Sequence, residues 1–346
     1  MFERYLTEED QSLTPPTMNT NFILRGFGRY VPERILTNLD LEKIVDTSDE
    51  WITTRTGIKQ RHIAADDQAA SDLACEAAKN ALADAGMEAS DLTHIVCGTF
   101  TPDSMVPSTS CRIQEKLGIK GQMCVDVVAA CSGFLYALQT ARGYLMLDPD
   151  AKILVVTSEI ISRRLNWEDR TTCVLFGDAA GATIMTNGEA DEAPRVVDIA
   201  LGADGKLGDL LTVNGGGSGW AYKKGDVVGD EFFVQMQGSE IFKHAVRNMV
   251  AMSNKVLTQN GLDKTDVDVL IPHQANWRII DAVGRKFEIP EEKVFSNIDR
   301  YGNTSAASVP LALSEALETG FIKKGDLVLM PTFGGGFTWG AGLIQF

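Results

Sequence analysis

The feature that most constrains this chain is an internal repeat. The stretch ADAGMEASDLTHIVCG (83–98) lines up with TQNGLDKTDVDVLIPH (258–273), so that Gly86 and Gly261 stand 175 residues apart. At the same offset CSGFLYAL (131–138) falls on AASVPLAL (306–313). The run KILVVTSE (152–159) has its counterpart in DLVLMPTF (326–333), and GDAAGATI (177–184) is echoed by TWGAGLI (338–344). Four matches in one order indicate a duplicated unit rather than chance. Within each unit, apolar strand-like runs alternate with helical patterns. Leu92 to Cys97, Lys152 to Thr157 and Leu327 to Pro331 read as buried strands. Asp72 to Ala85, Ser132 to Leu147 and Ser239 to Leu257 read as helices. Such alternation is the signature of an α/β protein. The seam is expected at the Gly-rich stretch Asn214 to Gly219, giving an N-terminal extension (1–21), a first half (22–214) and a second half (215–346).

Composition removes several classes of function. A chain of 346 residues with 44% hydrophobic content can bury a large core. Its 47 acidic against 32 basic residues give a net charge of -15. That balance argues against nucleic acid as the main partner, because phosphate binding needs a basic footprint. No run of 18 apolar residues is present, so no membrane-spanning helix and no membrane partner is expected. Met1 to Asn21 has no apolar h-region and does not read as a secretory signal. The six cysteines show neither a C-x-x-C pair nor a Cys/His ligand spacing, so neither zinc nor a disulfide framework is expected. A cytoplasmic address follows. Nucleotide-binding loops are also missing: Gly26 to Val31 lacks the third glycine of G-x-G-x-x-G, and no G-x-x-x-x-G-K-[ST] occurs. The Gly-Gly-Gly runs at 215–217 and 334–336 need another explanation.

Three residues stand out as candidates for chemistry. Cys131 follows an apolar run and opens an apolar helix. A thiol at a helix start is favoured as thiolate, the form that attacks a thioester or ester; the competing reading is one more buried cysteine. His273 lies just past a buried strand, where α/β proteins assemble their sites, whereas His62, His94 and His244 read as structural or superficial. Asn303 precedes the matching helix of the second half, and its plain reading is a cap or turn residue. The repeat favours the chemical readings, because it places Cys131 and Asn303 at matching helix starts and His273 at a neighbouring strand end.

At this point the chain resembles the β-ketoacyl-[acyl-carrier-protein] synthase III family of thiolase-like condensing enzymes. The resemblance is carried by DTSDEWITTRTGI (46–58), AACSGF (129–134), PHQAN (272–276), GNTSAAS (302–308) and FGGGFTWG (333–340), spread over 22–346. It implies a thiolase-like, duplicated five-layer αβαβα architecture. It also implies that Cys131 takes an acyl group from acyl-CoA, and that malonyl carried on acyl carrier protein then decarboxylates and attacks it. His273 and Asn303 would stabilise the enolate; an Asn cannot serve as a base, so stabilisation suits it. Backbone N–H groups of Cys131 and Gly335 would form the oxyanion hole. Trp51 and Arg170 would sandwich the adenine of CoA with Arg55 near its phosphates, and Asn276 would assist the malonyl pocket. No metal or redox cofactor is implied, and a homodimer is. In acetyl-using members a Phe precedes the proline of a segment that caps the partner's acyl pocket. Here that position is Val106, which implies room for longer or branched primers.

An acidic enzyme needs a local basic patch to meet an acidic carrier protein. Arg278 and Arg285, two turns apart on one helix, with Lys286 beside them, supply one candidate face; Lys243 and Arg247 supply another. Three other readings compete: a thiolase-like enzyme joining two acyl-CoAs or serving secondary metabolism, a papain-like cysteine hydrolase, and a non-catalytic interaction protein. The hydrolase normally shows C-G-S-C-W near its N-terminus, which is missing here.

Overall fold

The strands at the centre of this protein are apolar on both faces, and the fold buries both. In the computed structural model, which describes residues 21–189 and 191–346, the chain begins β1 (Asn21–Tyr30), β2 (Arg34–Thr37), α1 (Asn38–Leu41), α2 (Asp49–Thr56), β3 (Gln60–Ile63), α3 (Ala70–Ala85), β4 (His94–Gly98) and α4 (Thr109–Lys116). β5 (Met123–Val127), α5 (Gly133–Leu147), β6 (Lys152–Glu159), β7 (Ala179–Gly188) and β8 (Arg195–Ala203) follow. Then come β9 (Leu211–Thr212), β10 (Gln235–Met236), α6 (Gly238–Gln259), β11 (Val269–Leu270), α7 (Trp277–Phe287), α8 (Ile298–Tyr301), α9 (Ser308–Glu318), β12 (Leu327–Gly334) and β13 (Thr338–Gln345).

Nine strands join in the order β11-β12-β13-β8-β1-β7-β6-β4-β5. Along β6, Ile153 and Val155 enter a core with α5 and α9, while Leu154 and Val156 enter another beneath α3. Along β12, Val328 and Met330 join that same central core, and Leu327 and Leu329 pack under α6 and α7. The period of two therefore sorts the molecule into five layers: α3 and α4, a half-sheet, α5 and α9, a second half-sheet, then α6 and α7. This is the expected αβαβα arrangement. Among the described residues no helix is long and apolar enough to cross a membrane.

The repeat is visible in the backbone. β6 and β12 begin 175 residues apart, at Lys152 and Leu327, as do α5 and α9, at Gly133 and Ser308. Gly86 closes α3 at φ 63°, and Gly261, just past α6, has φ 70°. Both positions use the left-handed conformation that ends helices and that glycine adopts freely. The turns before α5 and α9 place Ala130 at φ 44° and Ser305 at φ 49°, again 175 apart. Positive φ is uncommon outside glycine, so its recurrence at matched positions marks the repeat more sharply than any residue identity.

The seam needs revision. A boundary at 214/215 would cut β8 away from β13, with which it pairs from Ala203–Thr338 to Arg195–Gln345. β8 is in register with β1 at one pair, Ile23–Arg195, against eight with β13. We therefore place the boundary between β7 and β8. β8 shares no obvious residues with β1, so the repeat in sequence did not reveal it. The expected extension, 1–21, lies outside the described residues apart from Asn21, which opens β1. The predicted strands and helices are all present; β6 and β12 each run two or three residues further than expected.

Candidate active site

β5 delivers the chain into a tight turn, Ala130–Ser132, ahead of α5. The positive φ of Ala130 swings Cys131 out of the path a strand would follow. The turn is pinned from β13: Thr338 Oγ1 donates to Ala129 O (2.8 Å) and Ser132 Oγ donates to Thr338 O (3.2 Å). From β12, Gly334 approaches so closely that a Cβ there would lie 2.6 Å from the Cys131 backbone nitrogen. That contact explains why position 334 is glycine, and the next residue, Gly335, lines the same cavity as Cys131.

Cys131 is 7% exposed. Burial pushes its thiol up to about 12; the Ser305 hydroxyl and the Cys131 N–H pull it back, and the nearby Glu159 charge pushes further up. The expectation of a thiolate favoured by the helix start is therefore not met in the resting protein. Desolvation outweighs the helix end.

His273 follows β11, and its backbone N–H donates to Pro331 O (2.9 Å) on β12. Its Nδ1 lies 2.6 Å from Ser308 Oγ, the first residue of α9. With that hydroxyl donating, the ring proton sits on Nε2. Burial pushes the imidazole down to about 3, so it is neutral across the working range. Asn303 is fixed at its backbone and at its side-chain oxygen. Its backbone N–H donates to Leu175 O (2.8 Å), and its Oδ1 accepts from Ser305 N–H (2.9 Å). With Oδ1 engaged, the amide NH2 is the group left to offer. His62, His94 and His244 lie elsewhere: His62 Nδ1 is 2.5 Å from Pro32 O, His94 Nδ1 is 2.8 Å from Thr93 Oγ1, and His244 packs on Phe337.

Cys131, His273, Asn303, Asn276 and Gly335 all line one cavity of about 650 Å³. Its remaining walls are largely apolar, including Phe100, Phe176, Leu211, Val213 and Val234. The Gly215–Gly217 run, unexplained by the sequence, forms part of this wall. A Cβ at Gly215 would lie 2.7 Å from the Phe232 Cα. Asn276 also caps α7, its Oδ1 accepting from Ile279 N–H (3.1 Å).

The three expected CoA contacts meet outside the walls of this cavity. Ser48 caps α2 by accepting from Trp51 N–H (3.1 Å). Arg55 and Arg170 both stack on the Trp51 ring, at 4.8 and 5.1 Å from its centroid. Arg170 Nη1 also donates to Asp46 O (3.0 Å). Val106 is 84% exposed and does not line its own chain's cavity.

The basic candidates divide. Arg278 stacks over Phe242 at 5.8 Å and so joins α7 to α6. Lys286 is exposed on α7. Lys243 pairs with Glu240 (2.8 Å) and Arg285 with Asp281 (2.7 Å), each within its own helix, which blunts both as attractors. Sequence reasoning missed Ser308, although it lies in the GNTSAAS motif, and it missed Glu159 and Arg164. Nothing local distinguishes those two from ordinary strand-end charges.

Comparison with known proteins agrees with this geometry. Residues 125–205 match the family model "3-Oxoacyl-[acyl-carrier-protein (ACP)] synthase III", and 257–346 match its C-terminal counterpart. The chain is 58% identical over 329 residues to a β-ketoacyl-[acyl-carrier-protein] synthase III of Oleidesulfovibrio alaskensis, covering 95% of this chain and 100% of the relative. It is 51% identical to that of Geobacillus kaustophilus, covering 91% and 96%. The crystal structure of 3-oxoacyl-[acyl-carrier-protein] synthase III from Aquifex aeolicus superposes with a TM-score of 0.85 at 45% identity, covering 94% of this chain and all of that one. With the same fold, near-complete coverage and a thiol, an imidazole and a carboxamide converging on one cavity, the chain belongs to the β-ketoacyl-[acyl-carrier-protein] synthase III family.

Proposed function

We propose that this chain is an acyltransferase that starts fatty acid synthesis, condensing an acyl-CoA primer with malonyl-[acyl-carrier-protein] to give 3-oxoacyl-[acyl-carrier-protein], CoA and CO2. The observation that carries the assignment of roles is that one cavity is lined by a thiol, Cys131, and by two neutral groups able to donate, His273 through Nε2–H and Asn303 through its amide.

In the first half-reaction Cys131 Sγ attacks the primer's thioester carbonyl. The thiol is neutral at rest, so its proton departs as the bond forms and ends on the CoA sulfur that leaves. The N–H groups of Cys131 and Gly335 receive the developing oxyanion. In the second, the malonyl C–C bond breaks, CO2 leaves, and the electron pair spreads onto the thioester oxygen. Neutral donors suit that step, since they stabilise an enolate without first trapping the carboxylate as a cation would. The enolate carbon then attacks the acyl-Cys131 carbonyl, and Cys131 is expelled as its thiolate, which takes one proton from solvent to return to the resting thiol.

The surroundings support the remaining assignments. Trp51 with Arg55 and Arg170 is a surface suited to an adenine and its phosphates. Arg278, exposed between α6 and α7, is our principal docking residue for the carrier protein, with Lys243, Arg285 and Lys286 secondary. β5 is one edge of the sheet, and Val128, Met105 and Val106 near it are 73, 80 and 84% exposed. An unpaired edge beside apolar side chains favours a homodimer, with Val106 reaching the partner's primer pocket. All six cysteines are free, which fits a reducing cytoplasm. The reaction as written uses no metal or redox cofactor.

The test separates the half-reactions. Cys131→Ser is expected to lose acylation and condensation and to retain malonyl decarboxylation, whereas His273→Ala is expected to lose decarboxylation. An acyl-enzyme still visible by intact mass in Cys131→Ser would overturn the nucleophile assignment.

A further inference from the structure

We propose that Arg164 forms a subsite for an oxygen acceptor at the distal end of the acyl primer. The pocket would then admit primers that end in a carboxylate, CoA monothioesters of short dicarboxylic acids, beside plain acyl chains. This rests on the condensing-enzyme reading above.

Arg164 ends the short turn Ile161–Arg164 that follows β6, and it lines the cavity. Its carbonyl accepts from Val234 N–H (2.8 Å), and its guanidinium carbon lies over the Phe232 ring, 4.1 Å from the centroid. Both contacts fix the side chain against the wall, but neither uses a guanidinium donor. Among the described residues Arg164 makes no ion pair, and its Nη1 is buried with no hydrogen-bond partner. Burial holds the group below arginine's usual range, with the Tyr222 hydroxyl acting the other way. Tyr222 is itself committed to Glu231, to which it donates (3.1 Å).

A half-buried cation without a counter-ion is costly, and stacking on a phenyl ring offsets part of that cost. What remains is a planar fork of donors, the geometry that matches a carboxylate. Its neighbours on the cavity wall, Phe176, Leu211, Val213 and Val234, are apolar. A ligand that satisfies both is a hydrocarbon chain with an oxygen acceptor at its tip. The residues expected to hold CoA, Trp51, Arg55 and Arg170, lie outside this cavity. There α7 abuts the end of the Trp51 helix, where a Cβ at Gly57 would sit 2.7 Å from Trp277. We therefore assign Arg164 to the primer rather than to the pantetheine.

The experiment compares hexanoyl-CoA with adipyl-CoA, which matches it in chain length and adds a terminal carboxylate. Acylation of Cys131 is followed by intact mass in single turnovers. Wild type is expected to take adipyl-CoA within about tenfold of the hexanoyl rate. Arg164→Met is expected to slow adipyl transfer at least about tenfold while hexanoyl transfer moves less than about threefold. Arg164→Lys keeps the charge, loses the fork and falls between, and it carries the test should Arg164→Met not fold. A wild type acylated by hexanoyl-CoA but more than about tenfold slower with adipyl-CoA would overturn the subsite and leave the enzyme assignment standing. Equal losses for both primers in either variant would also overturn it, placing Arg164 on the CoA arm or in the wall alone. No acylation by any thioester would sink the condensing-enzyme reading itself.

Discussion

Replacing Asn303 with Asp isolates the enolate donor without disturbing its mounting. The two side chains have nearly the same shape, and one oxygen of the Asp can keep accepting from Ser305 N–H, as Asn303 Oδ1 does at 2.9 Å. The other oxygen then replaces the NH2 where negative charge develops. Loss of one preorganised donor costs about 10²–10³ in rate, and the added carboxylate repels the enolate, so the fall in malonyl decarboxylation is expected at about 10³ or beyond. Position 303 is only 7% exposed, so burial raises the pKa of the new carboxyl. Its protonated form carries an O–H that can donate. Residual decarboxylation is therefore expected to be greatest at low pH and to fall as pH rises through that pKa. Primer transfer to Cys131 does not use this donor and is expected to stay within about tenfold of wild type. The assay follows malonyl- to acetyl-carrier-protein conversion by mass, beside intact-mass acylation of Cys131. Decarboxylation retained above about a tenth of wild type, or equal losses in both half-reactions, would refute the assignment.

Three further outcomes are expected. Burial pushes Glu159 up to about 8 against the ordinary carboxylate value, so the folded protein holds that proton longer than the unfolded chain; this contribution is present at low pH and is lost as pH rises through about 8. Glu159→Gln cannot ionise, so its melting temperature relative to wild type should climb between about pH 5 and about pH 9, and a constant difference would contradict the burial argument. Charge reversal at Arg278 should raise KM for the carrier-protein substrate and spare primer acylation. Arg285→Glu should do less, because Arg285 is already tied to Asp281; salt should weaken the wild-type interaction, since exposed charges are screened beyond about 8–10 Å. Val106→Phe should narrow the primer range toward acetyl-CoA, each methylene no longer buried costing about 0.8 kcal/mol; kcat/KM across acetyl- to octanoyl-CoA measures it, and a wild type confined to acetyl-CoA ends the argument.

The repeat, the strand–helix alternation and the three candidate residues that the fold brings to one cavity were legible in the chain. They depend on local patterns: runs of apolar residues, glycines at helix ends, and short motifs that hold a nucleophile or donor at an element's end. The seam between the halves was not legible, because β8 belongs to the second half by pairing with β13, more than a hundred residues later. Residue similarity does not record hydrogen-bond partners at that range. The charged helix faces were legible as faces, but Arg285 and Lys243 turned out to spend their charge on neighbours within the same helix.

By itself, then, the order of residues determined that the chain would fold as two related α/β units and which side chains could carry acyl transfer. Only the tertiary structure decided their electrical state and company. A helix start favours a thiolate at Cys131, yet the packing of Gly334 against the turn and the closure of the core around it remove water, and desolvation wins. The same closure keeps His273 neutral, sets Ser308 on its Nδ1, and leaves Arg164 on the cavity wall without a counter-ion. Burial, and the partners that burial brings from distant parts of the chain, are properties of the whole fold and of no local stretch of it.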